Sequence, residues 1–245
     1  VAIDKAGRRQ VRDRVLPAWI VVYAVFGLCL FTGEGYASVL RHIWPALTRL
    51  RGRQVGLPHA SALPKARRRV GAAPLATLFD QVRGPAATPQ TPGAFRFGLR
   101  VVAVDGTVLD VPDSADNDAV FDRHAGSKGP ARQPQVRLTL LIECATHAVL
   151  AARFDGIQTG EQILADAMLA DLQPGMLLLT DRNFFSMVRW LAAADTGAHL
   201  LWRMKLAAGA GAVHLPVLKA LPDGSYLSRL RENNVSRAPR GKLAG

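Results

Sequence analysis

This sequence has few cysteines and no Cys/His pattern of a metal site. Its 245 residues include two cysteines, Cys29 and Cys144, and both lie inside apolar runs. Cysteines in such positions are typical of small core residues in a reducing compartment. The sequence has no Cys or His spacing of the kind that holds zinc. A disulfide-rich scaffold and a Cys/His metal centre are therefore excluded.

The signatures of several enzyme classes are missing as well. His124, His147 and His214 are scattered and have no Ser or Cys partner that would indicate nucleophilic catalysis. The glycines within 207–212 lack the third Gly and the strand-to-helix context of a dinucleotide fingerprint. The Asp-rich segment 110–131 lacks the Gly and the closing Glu of a calcium loop. We interpret its acids as turn residues.

Acidic residues are scarce in the first part of the chain. Residues 1–100 contain 16 Lys plus Arg and 4 Asp plus Glu, whereas residues 101–245 contain 15 of each. The whole formal charge of +12 therefore belongs to the first hundred residues. Such an asymmetry favours a polyanionic partner, of which nucleic acid is the commonest. The alternative is an Arg-rich but merely solvated surface.

The chain has one long uncharged run, from Val15 to Gly33. About 20 apolar residues are enough to span a membrane, so a membrane-anchored protein is an alternative to consider. Pro17 lies near the start of the run, and Gly27, Thr32 and Gly33 dilute its far end. We therefore predict a buried helix in a protein without a membrane anchor.

Further helices are predicted downstream, and one of them carries a basic cluster. Residues 34–50 have apolar residues at three- and four-residue spacing. Ser61 is a candidate cap for a short helix with Arg67, Arg68 and Arg69, and residues 74–82 form another candidate helix. Because Arg and Lys contacts to phosphates position proteins on duplex DNA, we predict a helical basic DNA-binding domain over residues 1–83.

The pattern changes after a Pro- and Gly-rich segment, residues 84–93, which we interpret as a linker. From residue 94 onwards, strands alternate with helices. A hairpin is predicted over 136–154, helices over 161–172 and 184–196, and strands over 176–181 and 199–205. Three strands, a helix, a strand, a helix and a strand make up a second, α/β domain over residues 94–245.

Two apolar runs of this second domain each lead to an acid. Residues 100–107, RVVAVDGT, place Asp105 before a Gly-Thr turn, and residues 176–181, MLLLTD, end on Asp181. A carboxylate at the end of a buried strand is costly without a cation or donor, and hard divalent cations prefer oxygen ligands. The two acids could therefore meet and hold one cation. The alternative for each is an Asp that caps a turn or a helix.

These same residues carry a family resemblance. Asp105-Gly106-Thr107 with residues 109–112, and Thr180 to Phe184, resemble the first and second acid motifs of DDE transposases of the insertion-element-four group. Further matching residues lie in the amino-terminal part, in 14–17, 66–71, 74–75 and 78–79. The resemblance spans roughly residues 11–226 and so covers most of the chain.

The resemblance implies a function, a fold and a set of site residues. The function is DNA transposition of an insertion sequence by metal-dependent phosphodiester hydrolysis and strand transfer. The fold class is α/β, with a helical amino-terminal domain and a ribonuclease H-like mixed sheet followed by the start of a β-rich insertion near Gly209, Gly211 and the turn 221–226. Asp105 and Asp181 would be catalytic metal ligands for Mg²⁺, with Mn²⁺ as a substitute.

The resemblance also implies partners and a location. The chain would bind double-stranded DNA, both the ends of the element and the target. No membrane would be involved. Whether the chain forms a homodimer on the DNA is left undecided by the resemblance. The expected DNA-binding residues are Arg67, Arg68, Arg69, Arg182, Arg203 and Lys205. The location implied is the bacterial cytoplasm, in association with the nucleoid.

The sequence departs from the family at two places. Asn183 stands where the family usually has Gly, and Asn tolerates left-handed backbone better than most residues. The family's third acid lies in a Tyr, Arg, Glu, Lys motif that this sequence does not contain before its last residue, Gly245. Glu232 lacks the Tyr and Lys neighbours, and we interpret it as a surface charge. We therefore expect a chain truncated before that acid, and a catalytically dead remnant that only binds DNA is the alternative function.

Overall fold

The structure, a computed structural model, describes residues 1–8, 12, 14–126, 129–205 and 213–231. The chain forms two compact units, Val1–Arg83 and Gly84–Gly245. Gly209 and Gly211 of the predicted insertion start, and the candidate acid Glu232, lie outside the described residues, whereas the turn 221–226 lies within them. Helices followed by a mixed sheet give the α/β fold class that was predicted, consistent with a ribonuclease H-like domain.

The first unit is helical. Its helices are α1 (Ala2–Lys5), α2 (Ala18–Leu30), α3 (Tyr36–Arg51), α4 (Ala62–Val70) and α5 (Ala73–Val82). Helix α3 ends at Gly52, whose left-handed backbone is easiest for glycine. The expected Ser61 cap is wrong: no side-chain cap bond forms at α4, because the Ser61 hydroxyl pairs with the His59 ring instead.

Helices α2 and α3 approach closely at Gly27. A Cβ added to Gly27 would lie 2.8 Å from Cγ1 of Val39, a separation that real side chains do not adopt. The glycine that dilutes the apolar run therefore lets the two helices pack against each other. Around this contact, Ile20, Val39 and Leu40 are fully buried and form part of the core of the first unit.

The apolar run 15–33 contains the helix predicted for it, but a short one. Helix α2 has 13 residues, from Ala18 to Leu30, and the Phe31 backbone leaves helical geometry. A span needs about 20 residues at the rise of an α-helix. Among the described residues, no helix combines the length and the apolar character that crossing a bilayer requires.

The second unit contains a sheet with helices between its strands. The strands are β1 (Phe95–Arg96), β2 (Leu99–Asp110), β3 (Ala125–Gly126), β4 (Gly129–Pro130), β5 (Gln135–Glu143), β6 (Val149–Gly156), β7 (Met176–Thr180), β8 (His199–Trp202), β9 (Lys219–Ala220) and β10 (Tyr226–Leu227). The helices are α6 (Ala115–Phe121), α7 (Glu161–Asp166) and α8 (Met187–Asp195).

The central sheet is mixed and has six strands in the order β6-β5-β2-β7-β8, with β1 paired to β2. Strands β5 and β6 run antiparallel to their neighbours, whereas β7 and β8 are parallel to β2. Parallel strands need a crossover connection, and α7 and α8 supply the two that this sheet requires. The strands that carry Asp105 and lead to Asp181 are neighbours, as the resemblance implied.

Strand β2 is longer than the sequence pattern suggested. The expected Gly-Thr turn after Asp105 is wrong, since β2 continues through Gly106 and Thr107 to Asp110 and pairs with β5 along that length. The second half of β2, from Asp105 on, is largely exposed. Asp105 therefore lies in the middle of a strand, at the point where burial ends.

Helices α7 and α8 cover one of the two faces of the central sheet. One face carries Val102, Leu141 and Leu178, which are buried beneath Ala165 of α7 and Ala193 of α8. Side chains on the other face alternate with these along each strand. They include Ala103, Leu140 and Leu179, which are only partly buried within the described part of the chain.

Helices α7 and α8 differ in their bounds from the helices that the apolar spacing predicted. The predicted helix 161–172 stops at Asp166 and continues only as a 3-10 turn, Leu169–Asp171. The predicted helix 184–196 begins at Met187, because the Ser186 side chain caps it by accepting the Arg189 N–H. A separate 3-10 turn, Arg182–Phe184, precedes it and follows Asp181 directly.

A buried carboxylate ties the start of the second unit to the sheet. Glu143, at the end of β5, is fully buried and pairs with Arg100 at the start of β2. Its Oε2 accepts the backbone N–H of Ala87 at 2.8 Å and the Thr146 hydroxyl. Burial by itself raises the pKa of Glu143, but the hydrogen bonds from Thr146, Ala87 and Arg100 outweigh it and lower that pKa below its ordinary value.

The Glu143→Gln variant is predicted to lose about 3 kcal/mol of unfolding free energy, because it leaves the Arg100 charge without its partner. The contribution of the Glu143 carboxylate to the unfolding free energy is present above its ordinary pKa of 4.5. This contribution is lost as the pH falls through the lower pKa of Glu143 in the native state. Urea unfolding at several pH values measures both effects. The exposed Asp195→Asn is the matched control, and a Glu143→Gln variant with wild-type stability at neutral pH would contradict the prediction.

Candidate functional site

The two candidate acids occupy equivalent places on neighbouring strands. The parallel pairing of β2 with β7 runs from Arg100 opposite Met176 to Ala103 opposite Leu179. Asp105 and Asp181 each follow two residues after that last pair. Because neighbouring strands lie about 4.8 Å apart, this register brings the two acids to the same level, with Asp105 in the middle of β2 and Asp181 directly after the end of β7.

The two acids also share a face of the sheet. Successive side chains of a strand point to opposite faces, so Asp105 points the same way as Ala103, and Asp181 the same way as Leu179. This is the face that α7 and α8 do not cover in the described residues. Both acids are exposed. Their charges therefore carry little desolvation cost, which differs from the buried carboxylates expected from the apolar runs.

The acids have few partners of their own. One oxygen of Asp105 accepts the N–H of the next residue, Gly106, at 2.8 Å. Asp181 lies 3.6 Å from the guanidinium of Arg203, and both side chains are more than half exposed. An exposed ion pair of this kind contributes little to stability. The carboxylate oxygens therefore keep most of their capacity to accept a ligand.

Asp105 and Asp181 offer the type of donor atom, carboxylate oxygen, that hard cations prefer. Two exposed carboxylates at one level and on one face provide oxygen ligands, which Mg²⁺ and Mn²⁺ prefer. In the described ranges, no group of three or more His, Cys, Asp or Glu residues is placed to hold a metal ion. Within the part of the chain that the structure describes, Asp105 and Asp181 are therefore two carboxylates without a third acid placed to join them.

Sequence reasoning missed one acid that contacts the residues following these two. Glu161 is the first residue of α7, and its Oε2 accepts the side-chain N–H of Asn183 at 3.0 Å. Its side chain also lies directly against Gly106. Glu161 was interpreted only as the start of an amphipathic helix, and nothing in the local sequence connects it to residues 55 positions earlier and 22 later.

The basic residues expected near the acids surround one end of the sheet. Arg182 begins the 3-10 turn after Asp181 and is exposed. Arg203 follows β8, and its backbone N–H donates to the Thr180 carbonyl at 3.1 Å, which places it next to Asp181. Lys205 is exposed two residues further on. Asp181, Arg182 and Arg203 therefore lie close together, with Lys205 near them along the chain.

The three consecutive arginines of α4 differ in their surroundings. Arg67 donates to the Tyr36 hydroxyl at 2.8 Å and lies over the Tyr36 ring. Arg69 is partly buried and donates to the Leu16 carbonyl at 2.6 Å. Burial lowers the pKa of the Arg69 guanidinium, and the nearby Arg14 charge adds to that effect. Arg68 is exposed and is the arginine of the three best placed to bind a partner.

Comparison with known proteins gives one family and two relatives. The family described as "Insertion element 4 transposase N-terminal" matches residues 1–80. The transposase InsG for insertion sequence element IS4 of Escherichia coli (strain K12) is 27% identical over 235 residues, which are 96% of this chain and 51% of that protein. The putative transposase InsZ of the same organism is 29% identical over 199 residues, 78% of this chain and 62% of that protein. The chain thus spans about half to three fifths of the length of these relatives.

The Arg69→Ala variant is predicted to lose about 1.5 kcal/mol of unfolding free energy, because it removes a hydrogen bond between a charged donor and the Leu16 carbonyl. The neighbouring Arg68→Ala is the matched control, with a change within about 0.5 kcal/mol, as expected for an exposed side chain. Urea unfolding followed by far-ultraviolet circular dichroism compares the two. Equal losses in both variants would show that Arg69 has no structural role.

Proposed function

We propose, from the premise that this chain is a relative of the insertion element 4 transposases, that it acts on DNA as a transposase. Its first unit binds double-stranded DNA. Asp105 and Asp181 of its second unit take part in metal-dependent cleavage and strand transfer of the DNA backbone. The observation that carries this proposal is the matched register of the two acids on neighbouring parallel strands.

Phosphodiester transfer requires charge stabilisation and in-line positioning more than covalent help from the protein. Bound Mg²⁺, or Mn²⁺ in its place, would supply the charge that activates the attacking oxygen and neutralises the leaving one. Asp105 and Asp181 are the residues that would hold it. Their common level and face on the sheet support this assignment, since a shared ligand needs both carboxylates on one side.

The basic residues around the two acids have a role in the same proposal. Arg203 lies 3.6 Å from Asp181 and offsets part of its charge. Arg182 and Lys205 are exposed near the same end of the sheet, and they can contact phosphates of the DNA backbone there. Because such contacts do not read bases, they position the substrate without selecting its sequence.

The first unit supplies the general affinity for DNA in this proposal. Of the 16 Lys plus Arg in residues 1–100, Arg67, Arg68 and Arg69 lie together on α4. The structure supports unequal roles for them: Arg68 contacts phosphate, whereas Arg69 holds α4 to the segment before α2 through Leu16. Arg67 can contribute to DNA binding only in the orientation that Tyr36 gives it.

The Asp105→Asn and Asp181→Asn variants are each predicted to weaken Mn²⁺ binding at least about tenfold, because each removes one anionic ligand. Electron paramagnetic resonance of free Mn²⁺, titrated with the purified chain, measures the dissociation constant. Asp195→Asn at the end of α8 removes the same charge at an exposed position and is the matched control.

Two outcomes of the Mn²⁺ titration contradict the metal role. Wild-type affinity in both Asp variants would place the cation elsewhere. A chain that binds DNA but shows no Mn²⁺ site would instead favour the alternative of a protein that only binds DNA. Circular dichroism of each variant verifies that the fold is retained.

The Arg68→Ala variant is predicted to weaken DNA binding and to reduce the slope of log K against log salt concentration by about 0.9, the effect of losing one phosphate contact. Fluorescence anisotropy with a labelled duplex at several salt concentrations measures the slope. Arg229→Ala removes the same charge from an exposed position in the second unit and is the control. An unchanged slope in Arg68→Ala would remove this residue from the DNA surface.

A further inference from the structure

The contacts around Glu161 join both acid-bearing segments. Its Oε2 accepts from Nδ2 of Asn183, two residues after Asp181, at 3.0 Å. Its carboxylate also lies so close to Gly106, one residue after Asp105, that a Cβ there would overlap Oε1. One side chain from a third segment of the chain therefore touches the residues that follow both acids.

Neighbouring side chains hold the same turn after Asp181. Nε2 of Gln162 donates to the Asn183 carbonyl at 3.2 Å. Arg189 of α8 donates to the Phe184 carbonyl at 2.6 Å and to the Gln162 carbonyl at 3.2 Å, and it also pairs with Asp166 of α7. Together with the buried Phe184 ring, these bonds fix the turn on α7 and α8.

Glu161 approaches from the side opposite to the acids. Helix α7 packs on the buried face of the sheet through Ala165. Gly106 belongs to that face by the alternation along β2, whereas Asp105 belongs to the other. Glu161 therefore lies beneath the two acids rather than beside them, which agrees with the absence of a three-acid group in the described ranges.

The hydrogen bond to Glu161 depends on the residue at position 183. A glycine there could not donate a side-chain hydrogen bond, whereas the Asn183 amide reaches Glu161. Position 106 has the opposite requirement, because any side chain larger than glycine would displace the Glu161 carboxylate. The pair Asn183 and Gly106 thus provides a donor for Glu161 on one segment and the space for it on the other.

We propose that Glu161 is a positioning residue that joins the turn after Asp181 to β2 at Gly106 and so sets the spacing of the two carboxylates. The role rests on the proposed function, because it serves a cation shared by Asp105 and Asp181. Glu161 does not touch that cation. It acts as a hydrogen-bond acceptor, so its acceptor oxygen matters and its charge does not.

The experiment compares Glu161→Ala with Glu161→Gln in the full chain. Glutamine keeps an acceptor oxygen for the Asn183 amide, whereas alanine removes it. Mn²⁺ affinity is measured by electron paramagnetic resonance, and hydrogen exchange of the peptide covering residues 180–185 is measured without metal. Asp195→Asn serves as the control for loss of an exposed acid.

The expected result separates the two variants. Glu161→Ala weakens Mn²⁺ binding about tenfold, as the loss of a residue that orients a ligand does, and speeds exchange in 180–185. Glu161→Gln stays near wild type in both measurements. Asn183→Ala reproduces the effect of Glu161→Ala, and the double variant is no worse than either single one, because both remove the same bond.

Three results overturn the inference. Equal weakening in Glu161→Ala and Glu161→Gln would mean that the charge acts, as in a ligand. Wild-type Mn²⁺ affinity in Glu161→Ala would mean that Glu161 positions nothing. If the wild-type chain itself binds no Mn²⁺, the proposed function fails. In that case the hydrogen-exchange comparison still tests whether Glu161 holds the turn at 180–185. Unchanged exchange in Glu161→Ala would show that it does not.

Discussion

The parallel pairing of β2 with β7 is the constraint on which the candidate site depends. Parallel strands in register carry residues of equal offset to the same level, and here the offset brings Asp105 beside Asp181. A shift of one residue would turn one of the acids to the opposite face of the sheet. The crossover through α7 and the buried contacts of Val102 and Leu178 hold the register, so the core determines where the acids lie.

The polar contacts of the second unit divide into two kinds with different consequences. Glu143 is fully buried and fully bonded, so it contributes to the stability of the sheet and of the segment that leads into it. Asp105 and Asp181 are exposed and sparsely bonded, so stability does not account for their placement. Glu161 differs from both kinds, because its contacts connect α7 to β2 at Gly106 and to the turn that follows Asp181.

Charge acts differently in the two units. The excess of basic residues lies in the first hundred positions, but local structure decides which of these charges can meet a partner. Arg68 and Arg69 are neighbours in sequence, yet one is exposed and the other is bonded to the Leu16 carbonyl. A helix presents adjacent residues about 100° apart, so composition alone cannot tell a structural arginine from a binding one.

The sequence by itself determined the α/β fold class and the order of the main strands and helices of the central sheet, because apolar periodicity is a local property. It also predicted the neighbouring strands through the family resemblance. It did not predict that β2 runs on past Asp105, that the helices after Gly160 and Ser186 are short, or that Ser61 leaves α4 uncapped. Those outcomes depend on partners far away in sequence, such as the β5 residues that pair with Gly106 and Thr107. Only the tertiary structure placed Glu161 against Gly106 and Asn183, since a contact across 55 and 22 positions leaves no periodic signal in the chain.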